Sequence, residues 1–378
     1  MTLSRLARLT AAFTVLAASL ASPFASSLAV AQATASGGTF RLLTFASGAS
    51  GPRLGATRGD GEQDIVDVHN AVSFLYRTNP TELSGLAPIP IDMRSLIEAG
   101  DTPLQAVKTV HDAVTRIRAA GQFTERGGAR QVFYPPSAVE YLPPVPDPSK
   151  VMSLAGAYQR RQADGTPGAY DAAEYPSFFF KAPSSLTGHD SEINLWGLLT
   201  TGVYEPEFAV VIGKTARAVP ASEALDYVVG YTMMNDVSSR DLPMGQHGQQ
   251  GGSMSKSLDT FTPLGPYLTL KEDVPNPNNV EVTGYINGER HVWPVPNGNT
   301  SFLTFSVEET IAYLSERMTL QPGDIIATGV PQPTMTFIAG QIVEVKIGNL
   351  GTLRNRVVSK PIPGHTPIPP RVVGDLRR

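Results

Sequence analysis

The chain contains no cysteine, so it forms no disulfide and offers no thiol for a lipid anchor. It has no run approaching the ~20 apolar residues that a membrane-spanning helix requires. Residues 1–33 hold no twin-arginine pair, and the chain has no long block of like charge and no internal repeat. The absence of charge blocks argues against an interaction tail. What is plentiful is glycine and proline, 35 and 32 of 378 residues, within a chain that is 41% apolar. Many short apolar runs between turn residues predict a strand-rich protein, long enough for one large core or two domains.

Residues 1–33 read as a removable leader rather than as part of the fold. Arg5 and Arg8 give a basic start, and Leu9 to Ala21 is apolar and uncharged. Small residues then lead to Ala29-Val30-Ala31 or Ala31-Gln32-Ala33, either of which fits a small-x-small cleavage site. The expectation is an exported protein, periplasmic or secreted. Losing Arg5 and Arg8 and no acid takes the formal charge from −4 to −6. A mildly acidic mature chain argues against nucleic-acid or anionic-membrane partners.

From residue 34 the pattern predicts a small α+β N-terminal domain over 34–140. Thr39 to Phe45, Pro52 to Thr57 and Asp64 to Val68 read as strands. Leu104, Val107, Val110, Val114 and Ile117 carry helical spacing, after a break at Gly100-Asp101-Thr102-Pro103. The Pro-rich stretch 135–148 is stiff and extended, and the domain boundary is placed there. A second domain over 145–360 follows, and 361–378 is a Pro-rich tail. Within the second domain Val151 to Gly156 reads as a buried strand. The run Phe178-Phe179-Phe180 reads as core, with Lys181 emerging at its end. Residues 157–176 and 243–255 read as loops suited to covering a site. Ser306 to Met318 is the clearest helix, with Ser306 and Glu309 forming a capping box.

The densest chemistry lies in Tyr204-Glu205-Pro206-Glu207, followed by the apolar strand Phe208 to Ile212. Side chains alternate along a strand, so Glu205 and Glu207 share one face, while Phe208, Val210 and Ile212 take the other. Two carboxylates so close repel and call for a cation between them. Asp236 is a third acid, in Asn235-Asp236-Val237-Ser238, and Lys256 follows. Three carboxylates without a thiol suit a hard divalent ion, most simply Mg2+.

Four motifs in order resemble the fumarylacetoacetate hydrolase family. They are Glu205-Pro206-Glu207, Asn235-Asp236-Val237-Ser238-x-Arg240-Asp241, Lys256-x-x-Asp259-Thr260-Phe261-x-Pro263-Leu264-Gly265-Pro266, and Gly323-Asp324-Ile325-Ile326-Ala327-Thr328-Gly329-Val330-Pro331. The resemblance runs from about Val151 to Val358. It implies a β-rich α+β fold, a mixed-sheet roll or barrel with peripheral helices. It also implies a homodimer and a 2-oxo or diketo acid substrate. Glu205, Glu207 and Asp236 would hold Mg2+, with Mn2+ or Ca2+ as alternatives. Lys256 would stabilise an enolate, Arg240 would contact substrate, and Thr328 with Gly329 would bind a substrate carboxylate. Lys181 matches a pattern position read as structural.

The sequence departs from the family's hydrolytic pattern: Pro243 stands where its cleaving members carry a glutamine, and a second difference follows the first buried strand. A histidine and a glutamate three and six residues past a tyrosine serve there to activate water. Counted from Tyr158, those positions hold Arg161 and Asp164. Arg161 suits bidentate carboxylate binding, and Asp164, His189 and His247 are the remaining candidates for a base. The expectation is a metal-dependent C–C hydrolase. Decarboxylation, isomerisation or lyase chemistry, which need mainly an electron sink, is the alternative. A binding protein that holds an oxo acid without turnover is the non-enzymatic alternative.

Overall fold

The computed structural model describes residues 38–59, 63–124, 130–159, 174–239, 241, 250–291, 298–331 and 334–364. Among these, the main sheet has twelve strands. Its path runs Phe133–Tyr134, Ile65–Asp67, Arg53–Arg58, Phe40–Ala46, Thr262–Leu270, Val228–Asn235, Pro206–Ile212, Ile325–Ala327, Val151–Ala155 and Ser177–Lys181. Neighbours on this path are antiparallel except Ile325–Ala327 and Val151–Ala155, which run parallel. The two end strands do not pair with each other, so the sheet is an open mixed sheet and not a closed barrel. A second sheet of five strands contains Val282–Ile286, Ile342–Ile347 and Thr352–Val358.

The strand Pro206–Ile212 is buried along its whole length because both its faces are covered. Phe208, Val210 and Ile212 pack in one cluster with Val282, Val343, Val345 and Leu353 of the second sheet. Ala209 and Val211 pack in another with Leu96, Ile97, Leu104 and Val107 from two helices. These helices, Met93–Ala99 and Asp101–Ala119, meet at Gly100, whose φ of +81° suits a residue without a side chain. The alternation expected around Glu207 is therefore present, with apolar cover on both sides.

The N-terminal strands do not stand apart as the expected domain over 34–140. Phe40–Ala46 pairs with Thr262–Leu270, with Arg41 opposite Thr269 and Leu42 opposite Leu268. Leu42 and Leu54 share a core with Leu264 and Leu268, so burial of this sheet face joins the two chain segments.

Other local expectations need adjustment. Val68 opens a helix, Val68–Thr78, rather than closing a strand, because Asp67 caps it by accepting from the Asn70 N–H at 2.9 Å. The phenylalanine run lies on an edge strand, and Phe180 is exposed. The capping box is formed in both halves, with Ser306 and Glu309 exchanging hydrogen bonds at the start of Val307–Arg317. No helix among the described residues is long and apolar enough to cross a membrane. The expected leader and most of the Pro-rich tail lie outside the described residues.

Candidate metal centre

Register brings the acids together. Pro206 pairs with Asn235, so Glu205 and Glu207 flank the end of the strand that delivers Asp236. Two hydrogen bonds fix that junction: the Asp236 N–H donates to the Glu205 carbonyl at 2.8 Å, and the Glu205 N–H donates to Asn235 Oδ1 at 3.1 Å. One carboxylate oxygen from each of Glu205, Glu207 and Asp236 then lies within 4.8 Å of the others.

Neighbouring elements orient each carboxylate. Ser153, opposite Ala327 in the parallel strand pair, donates its hydroxyl to Glu207 Oε2 at 2.8 Å. The Gly329 N–H donates to the same oxygen at 2.9 Å. Gly329 has φ +83°, and an added Cβ would lie 2.9 Å from the Leu154 carbonyl oxygen. Glycine is needed there both for the turn and for the close approach. Lys181 Nζ meets Asp236 Oδ1 at 2.5 Å and the Val237 carbonyl at 3.2 Å. Lys256, the last residue of the helix Gln250–Lys256, bonds Glu205 Oε2 and lies 2.7 Å from Asp236 Oδ2. Its ammonium also sits over the Phe179 ring, 5.3 Å from the centroid.

The electrostatics follow from burial and crowding. Burial first, then the charge of Asp236, pushes the Glu205 carboxyl up to about 7. Burial, with Asp236 and Glu205 beside it, holds Glu207 well above the ordinary carboxylate range. Burial also opposes charge on Asp236, but Lys181 and Lys256 outweigh it and hold that carboxyl below its ordinary value. For Lys256 burial is again the largest influence and lowers it, yet the charges of Asp236 and Glu205 carry it above the usual lysine range. Burial draws the Lys181 ammonium down against the pull of Asp236. The short contact with a carboxylate held low keeps that pair ionic. When all three acids are ionised, two ammonium partners leave one negative charge uncompensated, in a cluster whose donors are all oxygens. That donor set fits a hard divalent cation.

The positions of the other expected residues are mixed. The Gly329 N–H serves Glu207 and not an open substrate position. The Thr328 N–H donates to the Phe208 carbonyl, while its hydroxyl is buried and without a hydrogen-bond partner. The buried Tyr158 hydroxyl has none either, and burial raises it well above the usual phenol range, with Thr328 close beside it opposing the rise. His189 is committed elsewhere: its Nδ1 accepts from the Arg354 N–H at 3.0 Å, and its ring meets Tyr141 edge-on. Arg161, Asp164, Arg240 and His247 lie outside the described residues. Sequence reasoning treated Lys181 as structural and gave Ser153 no role. Lys181 has a signal, a cation at the end of a strand, but Ser153 has none.

Known proteins resemble this chain over most of its length. The family model described as "Fumarylacetoacetate (FAA) hydrolase C-terminal" matches residues 151–358. A mitochondrial oxaloacetate tautomerase of Xenopus laevis is 31% identical over 328 residues, covering 85% of this chain and 91% of that protein. An oxaloacetate tautomerase of Bacillus subtilis is 36% identical over 233 residues, covering 60% and 75%. Among solved structures, a maleylpyruvate hydrolase from Sphingobium sp. SYK-6 in complex with manganese(II) and pyruvate matches with TM-score 0.59 and 27% identity, covering 85% and 99%. A fumarylacetoacetate hydrolase from Exiguobacterium antarcticum matches with TM-score 0.61 and 26% identity, covering 85% and 100%. The relatives are thus enzymes of small organic acids, tautomerases and hydrolases both. By the matched family model and by relatives that share its length, this chain belongs to the fumarylacetoacetate hydrolase family.

Proposed function

We propose that this protein is a divalent-metal-dependent enzyme that interconverts the keto and enol forms of a 2-oxo acid, with oxaloacetate-like dicarboxylates as its substrate class. The observation that carries this reading is the cluster itself. Glu205, Glu207 and Asp236 converge with Lys256 at the less buried side and Lys181 behind. Glu205, Glu207 and Asp236 are the residues assigned to hold the ion, and Mg2+ is the ion proposed. Bound there, a divalent cation supplies Lewis acidity toward a chelating oxo acid.

The chain's own groups do the rest. Lys256 is placed to offer positive charge where oxygen charge develops. The Thr328 hydroxyl, buried beside that of Tyr158, is the group assigned to a substrate carboxylate. Ser153 and Gly329 hold Glu207 in one orientation. Arg240 is assigned a substrate carboxylate, and Arg161 with Asp164 the opposite side of the substrate, on sequence position. Tautomerisation removes a proton from the carbon beside the carbonyl and places one on oxygen. It consumes no water, so it does not require the histidine that Arg161 replaces. The relatives named oxaloacetate tautomerase support the same choice.

C–C hydrolysis is the second reading, favoured by the likeness to a maleylpyruvate hydrolase. A panel of oxaloacetate, acylpyruvates and fumarylpyruvate separates the two. Accelerated keto–enol exchange without cleavage supports tautomerisation, and cleavage products with an acylpyruvate support hydrolysis. Binding without turnover of any of them would leave an oxo-acid-binding protein. Export after loss of residues 1–33 and assembly as a homodimer belong to the proposal too, resting on the leader pattern and on the family resemblance.

A further inference from the structure

We propose that Lys181 trades metal affinity for anion affinity: its buried charge weakens the hold on the divalent ion and makes the loaded site attract an anionic substrate. This rests on the metal-dependent reading above. Lys181 is fully buried, with its side chain at 0% exposure, and its Nζ is occupied by Asp236 Oδ1 and the Val237 carbonyl. It therefore acts through charge, as a positioning and specificity residue behind Asp236, rather than by touching substrate.

The formal charges give the argument its direction. Glu205, Glu207 and Asp236 contribute −3, and Lys181 with Lys256 contribute +2. Counted with every carboxyl ionised, as loading requires, a divalent ion brings this cluster from −1 to +1. A site carrying +1 attracts a carboxylate, and in a buried setting that attraction is poorly screened. Without the Lys181 charge, the cluster would go from −2 to 0 on loading. It would bind the ion more tightly and the anion more weakly. Two cations beside three metal-ligand candidates, Lys181 buried and Lys256 half-buried, are thus a means of coupling ion and substrate.

Calorimetric titrations on the full chain at pH 8 test this, using Mg2+ alone and then oxalate on the Mg2+-saturated protein. Oxalate is a chelating dianion with no C–H bond to lose, so turnover does not enter. K181Q removes the charge and keeps a hydrogen-bond donor, on a side chain one atom shorter. The expected result is a crossing: Mg2+ binds about tenfold or more tightly to K181Q than to wild type, and oxalate about tenfold or more weakly. A Mg2+ affinity that is unchanged or reduced, or an unchanged oxalate affinity, overturns the inference and leaves Lys181 a structural partner of Asp236. If K181Q does not fold even with Mg2+, K181M, of similar length and without the charge, takes its place, with the same crossing expected and the same results overturning the inference. Wild type that binds neither Mg2+ nor Mn2+ would instead refute the metal-dependent reading itself.

Discussion

Lys181 Nζ lies 2.5 Å from Asp236 Oδ1, with the two side chains at 0% and 1% exposure. Asp236 is one of the three acids assigned to the ion, and Lys181 is its buried partner. An ammonium in such a place is tolerated only while its carboxylate is present.

Asp236→Asn keeps the shape and removes the charge, leaving Lys181 buried and facing a neutral amide. Breaking a buried ion pair in this way costs about 3–5 kcal/mol. Urea unfolding of the metal-free protein should show a loss of that order, together with loss of Mg2+ binding. A loss below about 1 kcal/mol, the range of an exposed pair, would mean that the pair is not desolvated.

Metal affinity should fall as pH drops through about 7. Glu205 is pushed up to about 7 and so carries a proton in the metal-free protein below that pH, which the ion must displace, and the raised Glu207 works in the same direction. The same shift has a stability consequence with a definite sign. A carboxyl raised in the folded state binds more protons there than when unfolded. Stability of the metal-free protein therefore declines as pH rises from about 4.5 to about 7, and added Mg2+ offsets the loss. Calorimetry in two buffers of different ionisation enthalpy would detect the released protons. An affinity flat between pH 6 and 8 would contradict the raised values.

Ser153→Ala removes the hydroxyl that donates to Glu207 Oε2 at 2.8 Å, while the Gly329 N–H remains on the same oxygen. Partners that orient a metal-binding side chain are typically worth about 10- to 100-fold in metal affinity. The expected outcome is a loss within that range, with little change in thermal stability. Gly329→Ala should cost stability too, since φ is +83° and its Cβ would crowd the Leu154 carbonyl.

His189→Ala should leave turnover nearly unchanged. Its Nδ1 is taken by the Arg354 N–H, and its Nε2 lies 3.3 Å from Asp190 Oδ2, outside the metal cluster. Removing a general base costs about a hundredfold or more, so a loss of that size would return His189 to the mechanism.

The three acids were legible because their grouping is written locally: two share a strand face at a spacing of two, and the third ends the neighbouring strand. The helix Val307–Arg317 was legible for the same reason, through Ser306 and Glu309. What was not legible depends on contacts between distant segments. Ser153 looks like any small residue in a buried strand until register places it opposite Ala327 and beside Glu207. Gly329 was read as a substrate ligand, but the turn aims its N–H at Glu207. The Phe178 to Phe180 run looked like core because hydrophobicity alone does not reveal that its strand is the last in the sheet. The Pro-rich boundary misled because one of the strands that pair with Phe40–Ala46 lies more than two hundred residues later.

The most direct test is the rate at which enol oxaloacetate disappears, followed by its ultraviolet absorbance, in wild type with Mg2+, in wild type with excess chelator, and in Glu207→Ala with Mg2+. The account predicts acceleration in the first case only, with the other two at the uncatalysed rate. Equal acceleration in the presence of chelator, or in Glu207→Ala, would contradict it.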